Sequence, residues 1–266
     1  MSVLSDHSYL SAANELFHSA KGPKFERIDK DNVVLLVVDH QVGLFQMTHD
    51  IQPDLFKNNI IAHAAIGKVF NLPTILTTSS ETGWAHLFFF RLLKQPLDLM
   101  MMMILGPNGP LPREITAMHP NAPYIKRNGE VNAWDNEDFR NAVKATGKTQ
   151  IIIAGITTDV SIANLNIPWS TRDAHKRWSF NFFQVCTAFL ALSLIEEGYT
   201  VYANADASGA LSERISSDAN DRMRAAGVQV LSSFAVVLDL MRDWRNTPGA
   251  LELLPYFDKW VPPSLT

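Results

Sequence analysis

A chain of 266 residues, 47% of them hydrophobic, can bury the core of one large α/β domain. Its formal net charge of -4 and pI near 6.0 offer no basic field to a phosphate backbone, which sets nucleic-acid binding aside. The single cysteine, Cys186, cannot close an internal disulfide, which removes any cysteine-cluster metal site and fits a reducing, cytoplasmic setting.

Residues 1–24 carry Asp6 and Glu15 where a secretory signal needs an unbroken apolar run, and read as a short, partly helical extension. The first strand signal is Val33 to Asp39, followed by a helical stretch from Asn58 to Phe70 and a second strand from Thr74 to Ser79. Trp84 to Leu105 then breaks the rhythm. Arg91, Lys94, Pro96 and Asp98 interrupt its apolar run, so it is not read as a membrane span. A short strand, Ala122 to Ile125, leads to a helix over Asn136 to Ala145 and a strand over Gln150 to Ala154. A second irregular segment covers 161–184. Thereafter helices at Thr187 to Glu197 and Glu213 to Ala226 alternate with strands at Thr200 to Asn204 and Gln229 to Ser232.

Near-continuous β-branched strands suit a sheet buried on both faces. Their alternation with helices predicts a doubly wound, mostly parallel, Rossmann-like three-layer α/β sheet with helices on both faces. Gly147, Gly198 and Gly227 stand where helices should stop. The domain is expected over 25–254, interrupted at 84–105 and 161–184, with 255–266 as a tail.

In open parallel sheets ligands bind at the carboxyl ends of strands, which draws attention to Asp39, to Ser79 through Glu81, and to Gly155 through Val160. Asp39 there can serve as a general base or merely cap a turn. Cys186 precedes a helical run, where the helix dipole favours thiolate, although a free cysteine among apolar residues is also an ordinary core side chain. Lys126-Arg127 could set a cation beside both, or stay in solvent.

Other chemistries fail on inspection. Gly147-Lys148-Thr149 lacks the first glycine of a phosphate loop, and there is no Gly-x-Gly-x-x-Gly or Gly-x-Ser-x-Gly in the required context. His40, His49, His63, His86, His119 and His175 show no helical metal-ligand spacing, so neither metal nor cofactor is expected.

Leu35 to Gln41, Leu72 to Ser79, Glu81-Thr82-Gly83, Gly106 to Pro110, Asn132 to Asn136, Gly155 to Val160, Cys186 to Gly198, Asp206 to Gly209 and Arg242 to Arg245 together resemble the isochorismatase-like cysteine hydrolases, and most of all their YcaC-type branch. The resemblance covers roughly Phe25 to Leu254 apart from the two irregular segments. It implies a metal-free cysteine amidohydrolase that cleaves a C–N (amide-like) bond of a small molecule through a thioester, and a homo-oligomer. Carried onto this chain, Cys186 is the nucleophile, Asp39 the general base and Arg127 the basic member, with Lys126 in reserve. A cis peptide at Ile156–Thr157 would aim the oxyanion turn, and Gln41, Phe45, Glu81, Lys126, Asn132 and Trp134 would line the pocket. The zinc-binding histidines of the family's nicotinamidases are missing.

The chain departs from the pattern at Ser161, where the family has its cysteine; Cys186 arrives only after the second segment. Two origins fit both segments. They are translated, unspliced introns, since each is in frame and Phe182-Phe183-Gln184 would encode a splice acceptor, or they are genuine insertions forming a lid or oligomer contact. If the second segment parts thiol from turn, the product is a catalytically inactive isoform or oligomeric pseudoenzyme.

Overall fold

A computed structural model describes residues 26–82, 108–158 and 186–261. The N-terminal extension, both irregular segments and Ser161 lie outside these residues.

Six strands form one parallel sheet: β1 (Val33–Val38), β2 (Thr74–Ser79), β3 (Tyr124–Arg127), β4 (Gln150–Gly155), β5 (Thr200–Asn204) and β6 (Gln229–Leu231). Their spatial order is β3-β2-β1-β4-β5-β6, the doubly wound arrangement expected. Every residue of β1, β2 and β4 is buried, as a sheet covered on both faces requires.

The pleat of β1 divides the core. Val33, Leu35 and Val37 join the cluster formed with α1 (Pro53–Val69), α2 (Arg113–Met118), α6 (Ser233–Met241) and α7 (Ala250–Trp260). Val34, Leu36 and Val38 face the opposite layer, α3 (Glu137–Ala145), α4 (Cys186–Glu196) and α5 (Glu213–Ala225), through Phe139, Val143, Leu190, Leu194 and Met223.

Helix starts are fixed by side chains that satisfy free backbone N–H groups: Asn136 accepts from Phe139 N, and Ser232 from Ala235 N. Gly198 and Gly227, with φ of 89° and 95°, take the left-handed turn that ends the preceding helix.

Several boundaries differ from expectation. α1 begins at Pro53, where the fixed φ of proline suits the first helical turn and the missing N–H costs nothing. β3 is displaced towards its carboxyl end, so Arg127 closes the strand opposite Ser79. α2, α6 and α7 were not read from the sequence. α6 is apolar around most of its surface, and α7 contains Pro255, which normally marks a helix end. The expected tail boundary at Leu254 falls inside α7. Leu253 and Tyr256 are buried, and the Tyr256 hydroxyl donates to Ala62 O at 3.2 Å, so packing on α1 overrides the proline. No helix among the described residues is long and apolar enough to cross a membrane.

Candidate active site

The chain winds outwards in opposite directions from β1 and β4, leaving a crevice at their carboxyl ends where the order reverses. Asp39 leaves β1 there with φ +54° and is fully buried. Both carboxylate oxygens receive Arg127 Nη2 at 2.5 Å. Arg127 Nε donates to Thr77 Oγ1 at 3.0 Å, and Nη1 donates to the Glu130 carbonyl. Every nitrogen of the guanidinium is therefore directed. A buried ion pair persists only when its remaining polar atoms are satisfied in this way. Burial opposes the guanidinium charge, but Asp39, Cys186 and Glu130 outweigh it and hold Arg127 above its ordinary value.

Lys126 points to the other side of β3. Its ammonium pairs with Glu81 at 3.0 Å and its side chain is 60% exposed, so the strand pleat gives the Asp39 contact to Arg127 alone of the two.

Cys186 opens α4 and is buried at the same point. The Asp39 carboxylate, the Arg127 guanidinium and the Thr157 backbone amide all act on the thiol. Complete burial pushes the thiol well above its ordinary value, and the Asp39 charge adds to this against the opposing pull of Arg127. This reverses the direction expected from the helix start. Desolvation and an adjacent carboxylate outweigh the helix dipole, and the resting sulfur is a thiol.

The bond between Ile156 and Thr157 is cis. Ile156 N donates to Val38 O at 3.3 Å, Thr158 N to Gly209 O at 2.9 Å, and Thr187 N to Thr157 O at 3.3 Å. The start of α4 is thus fastened directly to this turn, although 159–185 intervene in sequence.

Residues 33–175 match the isochorismatase domain. The chain belongs to the isochorismatase family. The probable hydrolase YcaC of Escherichia coli strain K12 is 43% identical over 238 residues, 90% of each chain. The solved Escherichia coli YcaC, described as an octameric hydrolase of unknown specificity, is 42% identical, with 91% of this chain and 94% of that one covered at a TM-score of 0.70. YcaC from Pseudomonas aeruginosa, solved with hexane-2,5-diol and covalent acrylamide, is 41% identical over 90% of this chain and 94% of its own, at 0.69. This chain is accordingly an isochorismatase-like hydrolase with that family's α/β fold.

The expected pocket residues separate into distinct environments. The Gln41 amide is spent internally: Nε2 donates to Ser79 O and Gly109 O, and Oε1 accepts from Ser79 N. Phe45 stacks edge-on against Phe56 at 6.0 Å in the core facing α1. Asn132 accepts from Trp134 N and donates to Ser193 Oγ at 2.9 Å, tying its turn to α4. Trp134 is buried against Phe139 and Tyr199. The structure brings Asp39, Arg127, Cys186 and Thr157 together; Gln41, Asn132 and Trp134 hold the elements around them, and Glu81 with Lys126 forms an ion pair at the outer edge of β2 and β3.

Sequence reading missed Thr77, Glu130 and His40. Thr77 is one of four polar residues in the run TILTTS, which marked β2 without singling out the residue. Glu130 reaches Arg127 through its carbonyl as well as its charge, and no side-chain pattern reports a carbonyl.

Proposed function

We propose that the chain is a cysteine hydrolase that cleaves a C–N (amide-like) bond of a small molecule through a thioester. The observation that carries this reading is the meeting of the Cys186 thiol, the Asp39–Arg127 pair and the Thr157 N–H at the sheet's switch point. Asp39 takes the thiol proton as Sγ attacks the carbonyl carbon, so a thiol that stays protonated at rest becomes nucleophilic only as the new bond forms. Arg127 then balances Asp39 and the charge developing nearby. Backbone N–H groups at Thr157 and at the start of α4 receive the oxyanion. Collapse breaks the C–N bond, and the amine leaves with the proton from Asp39. Water, deprotonated by Asp39, attacks the thioester carbon, releasing the carboxylic acid and returning the thiol.

No cofactor enters this sequence, and among the described residues no three His, Cys, Asp or Glu side chains group as metal ligands. The covalent acrylamide of the Pseudomonas aeruginosa relative supports a nucleophile in this branch, since acrylamide is an electrophile that thiols attack. The octamer of the Escherichia coli relative supports a homo-oligomer here. Docking of Cys186 on Thr157 favours this reading over the inactive isoform.

The test is a panel of small amides, read by amine release and by mass spectrometry of the acid-quenched protein. An acyl mass on the peptide containing Cys186, absent in Cys186→Ala, is expected. Undiminished hydrolysis by Cys186→Ala overturns the reading.

A further inference from the structure

Three consecutive side chains leave β1 for three different parts of the molecule. Asp39 meets Arg127 and the thiol, and Gln41 is bound by Ser79 and Gly109. His40, between them, turns into the core beneath the site, where the mechanism above makes no use of it.

The His40 ring is fully buried, edge-on to Phe56 at 6.5 Å and to His63 at 6.1 Å. Burial, with His63 adding and the Ala207 bond opposing, lowers its pKa to about 3, so the ring is neutral. Nε2 meets the Ala207 carbonyl at 2.8 Å and carries the hydrogen, while Nδ1 has no hydrogen-bond partner. An apolar side chain would fill such a site without leaving a nitrogen unsatisfied. What the imidazole supplies is its single bond to Ala207.

Ala207 begins a short segment that walls the cis-peptide turn. Ser208 Oγ accepts from Gly155 N at 3.3 Å and donates to Asn204 O at 2.8 Å. Gly209 pairs with Ile156, and its carbonyl accepts from Thr158 N at 2.9 Å and from Thr158 Oγ1 at 3.3 Å. A Cβ on Gly209 would fall 2.5 Å from Thr48 Cγ2, so the segment is wedged against the 3-10 turn that follows β1. Between this wall and the start of α4 lies Thr157, whose carbonyl accepts from Thr187 N at 3.3 Å and whose backbone amide acts on the thiol.

We propose that His40 is a positioning residue: by holding Ala207 it sets the 207–209 segment, and through that segment the Thr157 N–H, against the Cys186 thiol. The inference rests on the cysteine-hydrolase reading of the same site and adds to it a residue that touches neither thiol nor substrate.

The experiment follows alkylation of Cys186 by iodoacetamide against pH in the full chain, which has a single cysteine, with His40→Leu and His40→Gln beside the wild type. Loss of the donor loosens the turn and weakens the influence of the Thr157 amide that favours thiolate. His40→Leu should therefore move the profile to higher pH and slow labelling at about pH 8 by about tenfold. His40→Gln, which keeps an N–H donor, should restore most of the rate. If His40→Leu does not fold, Ser208→Ala takes its place: it releases the same segment from Gly155 and must move the profile in the same direction. A folded His40→Leu, or a folded Ser208→Ala used in its stead, with an unmoved profile overturns the positioning role alone. A wild-type thiol that titrates as it does in urea overturns the site reading and this inference with it.

Discussion

Lowering the pH from 7 to 5 should make this chain markedly easier to unfold, because two imidazoles must be protonated when it does. His40 and His63 are fully buried. Burial, with His63 adding, takes His40 to about 3; burial takes His63 to about 4, with His119 adding and the Leu36 carbonyl bond opposing. Unfolding returns both to 6.5. The unfolded chain then binds protons that the native chain refuses, so this stability is complete above the unfolded value and is lost as pH falls below it. At pH 5 each histidine costs about 2 kcal/mol, together roughly 4 kcal/mol. That is a large part of a typical total of about 5–15 kcal/mol. Among carboxyls, burial works to raise Glu130 but bonds from Asn136 and Gly129 outweigh it, so its own loss begins below 4.5, outside the window. Asp50, raised by burial, works in the opposite sense. Urea unfolding at pH 7, 6 and 5 and fixed protein concentration, followed by tryptophan fluorescence, measures the loss, and His63→Gln should roughly halve it. An unfolding free energy that stays level from pH 7 to 5 would refute the argument that both rings are kept neutral by burial.

Asp39→Asn removes the charge that helps hold the thiol high, so Cys186 should label faster with iodoacetamide near neutral pH while amide turnover falls; slower labelling would contradict the electrostatics of the pair. Arg127→Met strands a buried carboxylate and should cost about 3–5 kcal/mol in urea unfolding, most of it recovered when Asp39→Asn is added. Gly155→Ala places a Cβ 2.6 Å from Val38 O and 2.8 Å from Thr187 Oγ1, and should cost about 1–3 kcal/mol of stability, read as a lowered Tm.

The fold was legible where burial dictates residue type. β1, β2 and β4 are buried on both faces and show as short runs rich in β-branched residues, and Gly198 and Gly227 mark real helix ends. α6 and α7 were missed for opposite reasons. Apolar residues surround most of α6 and leave little period, while α7 holds a proline whose cost is met by packing on α1. At the site, a strand pleat was enough to separate Lys126 from Arg127 once the register of β3 was known, but that register is set by pairing with β2 and is invisible in a four-residue segment. The thiol's direction stayed open between the two readings because the sequence displays a helix start and conceals depth. Complete burial beside Asp39 is a property of the assembled core, and it outweighs the dipole.

The long separation of Thr158 from Cys186 in sequence costs the site nothing visible, and the sheet explains why. Among the described residues, the turn after β4 is held by elements distant in sequence. It is held by β1 through Val38 O, by the segment after β5 through Gly209 O, and by the start of α4 through Thr187 N. α4 is in turn seated independently, by Leu190, Ala191 and Leu194 in the core and by Asn132 at Ser193. When both ends of a connection are fixed by long-range contacts, lengthening it adds only a slowly growing closure entropy, on the order of 0.6 kcal/mol for each doubling. The crevice between β1 and β4 is thus built to accommodate a long connection next to its own nucleophile candidate. A deletion of 161–184 that rejoins Val160 to Val185 should accordingly preserve the Cys186 alkylation profile, and a profile that shifts on deletion would mean that the inserted residues take part in the site.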